Sequence, residues 1–315
     1  MMSGKLISIV TSCYNESGNI QELYNRIKAV MEKFPAYTWE LIIADNFSVD
    51  GTRNIIRMMA KEDKRVKAIF NAKNFGHIRS PMNALKQAKG DAVISMCSDL
   101  QDPPELIEKM ISEWENGNKV VVGVRDKTEC GVFMEFFRKL YYSLLKKAAP
   151  EEDLISGFTG YGLYDRQFMD AFNSFDDPYP YFRGIVSEIG LKRVEIPFTQ
   201  PKRKHGKTKN NFFTLYDMAM TGFVNHTKLP LRLAVFSGFF IAFLSLLVAL
   251  GYLVYKCLNW DNFQVGMAPL VIGLFFFSAV QLIFIGILGE YIGAIYTQVK
   301  NRPLVIEEER INFEE

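Results

Sequence analysis

The stretch Ala92-Val93-Ile94-Ser95-Met96-Cys97-Ser98-Asp99-Leu100-Gln101-Asp102-Pro103-Pro104-Glu105 decides how the first two-thirds of this chain is read. It opens on a short apolar run, Ala92–Met96, of strand length. It then turns polar, with Ser98, Asp99, Gln101 and Asp102 close together. The close, Asp102-Pro103-Pro104-Glu105, carries a helix-start signature: Asp as N-cap, Pro at the first helical position and Glu at the third. That reading accounts for Asp102 as punctuation and leaves Asp99 without a folding role. Asp99 stands at a strand end with Gln101 two residues on, so two oxygen donors can meet at one point. Magnesium and manganese in phosphate sites often use one or two carboxylates and complete their shell from phosphate and water. Asp99 and Gln101 are therefore the candidate metal contacts.

The same unit recurs upstream. Leu6–Thr11 is a strand, Ser12-Cys13-Tyr14-Asn15-Glu16 its polar sequel, and Gly18–Phe34 a helix spaced through Ile20, Leu23, Ile27, Val30 and Met31. Glu40–Ala44 is a second strand, followed by Asp45-Asn46-Phe47-Ser48-Val49-Asp50-Gly51-Thr52 and a helix over Thr52–Lys61. Val66–Phe70 reads as a third strand, Ser80–Lys89 as a helix and Val120–Val124 as a further strand. Such alternation predicts an α/β domain with a mostly parallel sheet and helices on both faces. Ligands of these sheets bind beyond the carboxyl ends of the strands, which is where the polar clusters fall. Asp, Asn, Ser and Gly are also ordinary turn and cap residues. On adjacent strand ends, however, they could hold a base and ribose through carboxylate and amide hydrogen bonds.

Beyond Arg232 the composition changes. Leu233–Tyr255 and Asn262–Gly289 carry no charge, and each exceeds the ~20 apolar residues that a membrane span needs. Lys228 and Arg232 flank the first run and Lys300 and Arg302 follow the second, whereas the intervening loop has Lys256 as its one basic residue. Basic residues favour the cytoplasmic side, so the large domain and the C-terminal tail are expected in the cytoplasm. The expected organisation is a catalytic domain over 1–211, a juxtamembrane amphipathic segment over 212–232, two spans (about 233–255 and 266–290) and a cytoplasmic tail over 297–315. The apolar run Leu6–Val10 is too short for a signal peptide. The four cysteines are scattered with no CxxC pair, which suits a reducing cytosol and argues against a zinc site. At 23% charged residues and a net charge of +2, no nucleic-acid partner is expected. Gly238, Gly286, Gly289 and Gly293 in the spans would allow close packing in a homo-oligomer.

Taken in order, Tyr14-Asn15-Glu16, Asp45 through Thr52, and Asp99-Leu100-Gln101-Asp102-Pro103-Pro104-Glu105 resemble the inverting glycosyltransferases of family 2, with the GT-A fold. The branch that the chain most resembles contains dolichol-phosphate mannose synthases and bacterial polyprenyl-phosphate glycosyltransferases with two C-terminal spans. The resemblance implies a cytosolic GT-A domain and a nucleotide diphosphate sugar donor, with uridine as the nucleotide expected from the bacterial-looking branch. It implies a polyprenyl phosphate acceptor, undecaprenyl phosphate in a bacterium, a Mg2+ or Mn2+ cofactor and a place at the inner membrane. Carried over by position, Tyr14, Asn15, Glu16, Asp45, Ser48, Asp50, Ser98, Asp99, Arg203 and Lys209 would bind the donor. Arg125 and Arg138 would bind the lipid phosphate and act in catalysis beside Asp99, and Ser156 would lie beneath sugar and acceptor. Arginine suits that role because its planar fork takes two phosphate oxygens.

Two positions depart from the family. Its metal motif is usually Asp-x-Asp, and the first Asp aligns with Cys97, a poor ligand for a hard cation; Cys97 is expected to be a packing residue or to support the metal contacts from behind. Asn46 replaces a second Asp, which leaves Asp45 as the candidate for the base. The helix through Arg138–Lys147 interleaves Tyr141, Tyr142, Leu144 and Leu145 with lysines, a pattern for a membrane surface or an amphipathic core helix. The run Lys202–Lys209 reads as a polybasic patch or as the family's loop over the diphosphate. A processive polysaccharide synthase would carry a Gln-x-x-Arg-Trp segment, and the tryptophans here are Trp39, Trp114 and Trp260. The alternatives are a catalytically silent scaffold, for which Cys97 would speak, or a glycosyltransferase with a different acceptor.

Overall fold

The computed structural model describes residues 4–126, 155, 157–177, 179–201, 229–258, 267–300 and 302–313. Arg138, Ser156, Arg203 and Lys209, the stretch Arg138–Lys147 and residues 212–228 lie outside the described residues. In chain order the elements are β1 (Leu6–Cys13), α1 (Ile20–Met31), β2 (Thr38–Asp45), α2 (Thr52–Glu62), β3 (Val66–Asn71), α3 (Gly76–Lys86) and β4 (Ala92–Cys97). A 3-10 turn at Pro104–Leu106 leads into α4 (Ile107–Glu115), then β5 (Val120–Arg125), β6 (Phe158–Asp165), α5 (Arg166–Ser174), α6 (Phe182–Ile189) and β7 (Arg193–Phe198). Two long helices, α7 (Leu229–Leu258) and α8 (Met267–Val299), precede a last strand, β8 (Glu307–Ile311).

Eight strands form one sheet in the order β7-β5-β6-β4-β1-β2-β3-β8. Its centre, β3-β2-β1-β4, is parallel and doubly wound, so the order reverses between β1 and β4. β6 lies antiparallel to β4 and to β5, β7 runs parallel to β5, and β8 closes the other edge antiparallel to β3. The sheet is thus mixed, with its parallel part confined to the units that the sequence repeats.

Successive residues of the central strands enter opposite cores. Ile7, Ile9, Leu41 and Ile43 pack with the buried sides of α1, α2 and α4. Val10, Ile42, Ala44 and Ile69 pack with those of α3, α5 and α6. A sheet covered on both faces explains why the strands read as continuous apolar runs. Gly90 fits where a Cβ would stand 2.7 Å from the Ser8 nitrogen, so backbone approach fixes the residue there. α3 starts at Gly76 rather than at Ser80: with φ +87° Gly76 turns the chain, and Asn74 Oδ1 accepts its N–H at 2.8 Å.

α7 and α8 span 30 and 33 residues, roughly 45–50 Å at 1.5 Å per residue, against a hydrocarbon core of ~30 Å. They are apolar on all sides, and Phe236, Phe239, Phe275 and Ile283 stand exposed. Both are long and apolar enough to cross a membrane. The residues after α8 do more than trail. Ala72 donates to the Ile306 carbonyl at 3.0 Å, and β8 then pairs along β3. The end of the chain therefore returns to the sheet that its beginning builds.

Candidate active site

Three loops meet at the carboxyl edge of the sheet: β1–α1, β2–α2 and the one after β4. Each holds one non-glycine residue in the left-handed region, Asn15 (φ +58°), Phe47 (φ +71°) and Leu100 (φ +62°). Such backbone costs about 1–3 kcal/mol per residue where the surroundings do not favour it, and it concentrates at ligand sites. The first two loops are zipped together. Asn15 N donates to Ser48 Oγ (2.8 Å), Val49 N to Asn15 Oδ1 (2.8 Å), Glu16 N to Thr52 Oγ1 (2.9 Å) and Ser17 N to Asp50 Oδ2 (3.1 Å). Asp50 also accepts from the Thr52 hydroxyl at 2.5 Å; although burial opposes it, these hydrogen bonds hold its carboxyl below the usual range.

Asp45 is fully buried. Its Oδ1 accepts from Ser48 N (3.0 Å) and Arg53 Nε (2.7 Å). Arg53 continues to the Asn71 carbonyl (2.6 Å) and to Glu308 on β8 (2.9 Å). In this structure Asp45 thus holds the shape of the β2–α2 loop from inside, tied to a cation that the sequence reading left out. Asn46 explains its own departure from Asp. Its Nδ2 donates to Asn74 Oδ1 (2.9 Å) and the Gly76 carbonyl (3.0 Å), while its Oδ1 accepts from Phe75 N (2.9 Å). Only an amide gives and receives in that way.

At the switch point Ser98 Oγ donates to the Ser12 carbonyl at 3.0 Å, joining the ends of β4 and β1. Asp99 is buried, with Oδ1 accepting from Gln101 N at 3.2 Å, and Gln101 is half-buried beside the Pro201 carbonyl. Asp102 corrects the sequence reading. It caps no helix: Pro103 occupies the N-cap of the 3-10 turn with no side-chain cap, and Asp102 Oδ2 instead accepts from Cys97 N at 2.9 Å. The left-handed Leu100 folds the loop back on the end of β4, which turns the carboxylate away from the helix start. Cys97 stands exposed at the end of β4 and lines the cavity below this edge. The Asp102 carboxylate beside it, and Asp99, push its thiol well up. It therefore stays a neutral thiol, a weak ligand and a weak nucleophile.

Below this edge lies a cavity of ≈190 Å³, lined by Cys97, Asp102, Thr159 and the α3 residue His77 together with Tyr181 and Arg183 around the start of α6. Burial pulls the guanidinium of Arg125, at the end of β5, below its ordinary range, as does the neighbouring Arg183, while Asp102 and Asp99 oppose the shift. Burial also pushes the Asp102 carboxyl up. The structure thus brings Asp99, Gln101 and Arg125 into one neighbourhood and adds His77, Thr159 and Arg183. One sequence signal pointed to Arg183: a cation in the first turn of a helix opposes the dipole and asks for a reason. For a hard divalent ion the donor set is Asp99 and Gln101. No group of three or more His, Cys, Asp or Glu side chains able to hold a metal occurs among the described residues. One carboxylate and an amide suit an ion that draws its other ligands from a diphosphate and water.

The chain thus joins a doubly wound sheet, a type that binds its ligands beyond the strand ends at the switch point, to two exposed apolar helices long enough to cross a membrane. The sequence profile described as Glycosyl transferase family 2 matches residues 8–175, and the chain belongs to that family. It is a glycosyltransferase of GT-A-like fold. It is 32% identical to the uncharacterized glycosyltransferase YkcC of Bacillus subtilis, over 98% of this chain and 94% of that one. It is 31% identical to the SfII prophage-derived bactoprenol glucosyl transferase of Shigella flexneri, over 95% of this chain and 96% of the relative. Among solved structures it resembles glucosyl-3-phosphoglycerate synthase of Mycobacterium tuberculosis, crystallised with Mn2+, uridine diphosphate and glucosyl-3-phosphoglycerate. The TM-score there is 0.52 at 18% identity, over 70% of this chain and 78% of that one.

Proposed function

We propose that this glycosyltransferase moves a sugar, with inversion, from a uridine diphosphate sugar to a polyprenyl phosphate, undecaprenyl phosphate in a bacterium. It would work at the cytoplasmic face of the inner membrane, held by α7 and α8. The observation that carries this reading is similarity to a bactoprenol glucosyl transferase over nearly the whole of both chains, including the region of the two apolar helices. A lipid acceptor also gives those helices a purpose, because large apolar patches on water-exposed surfaces are sites of association.

The acceptor simplifies the chemistry. A sugar hydroxyl needs a base to remove its proton during attack. A phosphate monoester has a second pKa of ~6 and arrives largely as a dianion. The protein's task is then to position that oxygen in line with the anomeric carbon and to offset charge on the departing diphosphate. Asp99 and Gln101 are the residues that would hold Mg2+ or Mn2+, which when bound neutralises diphosphate charge. Arg125, with Arg138 and Ser156, would orient the lipid phosphate. Arg203 and Lys209 would close over the diphosphate. The zipped β1–α1 and β2–α2 loops, with Tyr14, Asn15, Glu16, Asp45, Ser48, Asp50 and Ser98, would form the seat for base and ribose.

The test is transfer of label from a panel of radiolabelled nucleotide sugars into organic-extractable lipid, using purified full-length protein, polyprenyl phosphate and Mg2+ or Mn2+. Metal-dependent label from one donor is the expected result and names the sugar. Absence of label from every donor, with nucleotide binding intact, would instead favour a silent scaffold.

A further inference from the structure

The end of α8 is tied to the domain at three points. Gln298 Nε2, in its last turn, donates to the Asp176 carbonyl at 2.8 Å, Arg79 on α3 donates to the Pro303 carbonyl, and Ala72 N donates to that of Ile306 at 3.0 Å. The candidate span within α8, Ile272–Val299, has 28 residues. At 1.5 Å per residue that is ~42 Å, which matches the ~40–45 Å of a bilayer with its headgroups. In a membrane Val299 therefore comes level with the headgroups, and Pro303 can stand no more than ~14 Å beyond it. The start of α3 and the loop before it are thereby held against the membrane surface.

The side chains gathered at this junction share one chemistry. Lys73 and Arg79 stand over the Phe75 ring, 5.1 and 5.5 Å from its centroid. Lys300 stands 4.5 Å from the centroid of the Tyr296 ring and donates to the Tyr296 hydroxyl at 2.8 Å. Arg302 follows, exposed like Lys73 and Lys300, and none of these three has an ion-pair partner among the described residues. Of the carboxylates nearby, Glu307 accepts from Asn83 and Arg310 and Asp177 accepts from Tyr179 N, which leaves Asp176 as the exposed one. The junction is thus a net cationic surface with two aromatic rings in it. A tyrosine at headgroup level offers an apolar body to acyl chains and a polar tip to water. Basic side chains at that level are drawn to anionic lipid. A soluble polyanion would have to share this surface with the bilayer that α8 brings to it.

We propose that Lys73, Arg79, Lys300 and Arg302, with Phe75 and Tyr296, form a docking site for the headgroups of anionic phospholipids, which seats the domain on the bilayer at the end of α8. The group recognised is the phosphodiester of a membrane lipid. The site rests on the reading that α7 and α8 cross a membrane, and it is independent of which donor and acceptor the enzyme uses.

The experiment uses full-length protein in phosphatidylcholine vesicles that contain a trace of spin-labelled phosphatidylglycerol or spin-labelled phosphatidylcholine. Electron spin resonance reads the fraction of each label immobilised at the protein. The parent should hold phosphatidylglycerol about threefold or more over phosphatidylcholine at low salt, and should lose most of that preference at about 1 M salt. Lys73→Gln/Lys300→Gln/Arg302→Gln, which spares the Arg79 bond to Pro303, should bring the two lipids close to parity. Lys61→Gln/Lys64→Gln/Lys89→Gln removes the same charge from the opposite edge of the sheet and should keep the parent's ratio. The single change Lys73→Gln, in a loop, should lower the ratio partway and serves if the first variant does not fold. Equal loss in both triple variants would reduce the effect to net charge and overturn the site. Displacement of the labelled phosphatidylglycerol by soluble glycerol 3-phosphate would make the ligand a free phosphate ester and overturn the lipid. A parent that enters the vesicles but shows no preference overturns the site and leaves the membrane reading standing. A parent that separates from the vesicles on flotation overturns both.

Discussion

Asn46 and Asp102 show how much a single side chain decides at this edge of the sheet. Asn46 is 5% exposed and gives two hydrogen bonds to the β3–α3 loop. Asn46→Asp replaces that donor by an oxygen facing Asn74 Oδ1 and the Gly76 carbonyl. Loss of about 1–3 kcal/mol is expected, read as a lower apparent melting temperature together with weaker nucleotide binding; an unchanged melting temperature would refute the account. Asp99→Asn should leave melting unaltered and lower transfer by about 10²-fold or more, as removal of a group that stabilises developing charge does. Near-normal turnover would remove Asp99 from the metal contacts. The sequence made Asp99 visible because nothing local explained it. It concealed Asp102 because Asp-Pro-Pro-Glu satisfies a capping pattern, and a pattern of neighbours cannot report that Leu100 turns left-handed and reassigns the carboxylate to Cys97 N. Asn46 and Arg53 were illegible for a related reason: their partners, Asn74, Gly76 and Glu308, are distant in sequence.

The repeated strand–loop–helix units were legible because each is local, with apolar runs for strands and a 3.6-residue stripe for helices. β8 was not, for Glu307-Glu308-Glu309-Arg310-Ile311 reads as a solvated acidic tail. Its acidic residues find their purpose only on the sheet. Glu307 accepts from Asn83 (2.7 Å), Glu308 meets Arg53 (2.9 Å) and Glu309 meets Arg57 (2.6 Å), while Asn312 donates to the Ala60 and Val66 carbonyls. The strand covers the β3 edge and reaches Asp45 through Arg53. Deletion of residues 304–315 should therefore lower the melting temperature, promote association through the uncovered edge and weaken nucleotide binding. Glu308→Gln, which breaks one exposed ion pair, should shift affinity by no more than about 1 kcal/mol. Equal nucleotide affinity after the deletion would sever β8 from the site.

A second junction, between α1 and the turn from α2 into β3, makes a statement about pH. Asp63 accepts from Arg65 (2.7 Å) and from the Tyr24 hydroxyl (2.8 Å). Hydrogen bonds from Arg65 hold its carboxyl at about 2, and burial followed by Asp63 pushes Tyr24 up to about 12. The depressed Asp63 value stabilises the fold above the unfolded value of ~3.9 and loses that contribution as pH falls toward 2. The raised Tyr24 value stabilises the fold below ~10 and is lost as pH rises toward 12. Asp63→Asn should flatten the acid limb of a melting-temperature profile; an acid limb as steep as the parent's would contradict this assignment.

At the scale of the molecule, the pairing of β8 with β3 constrains how the chain meets a membrane. The domain before α7 and the strand after α8 belong to one sheet, so both lie on one side of any bilayer that the two helices cross. Two crossings satisfy that condition and one does not. Under the proposed membrane placement the connection between α7 and α8 would face the opposite side, and the distribution of Lys228, Arg232, Lys300 and Arg302 against Lys256 leads us to expect that side away from the cytoplasm. A single cysteine at Asp261, in a chain whose four native cysteines are replaced by serine, should react with a membrane-impermeant maleimide added to intact cells. A single cysteine at Ile306, which is 61% exposed, should react only after the cells are opened. Labelling of both positions in intact cells would break the two-span arrangement, and labelling of Ile306→Cys alone would invert its orientation; either would undo the placement of the site beside a lipid phosphate in the cytoplasmic leaflet.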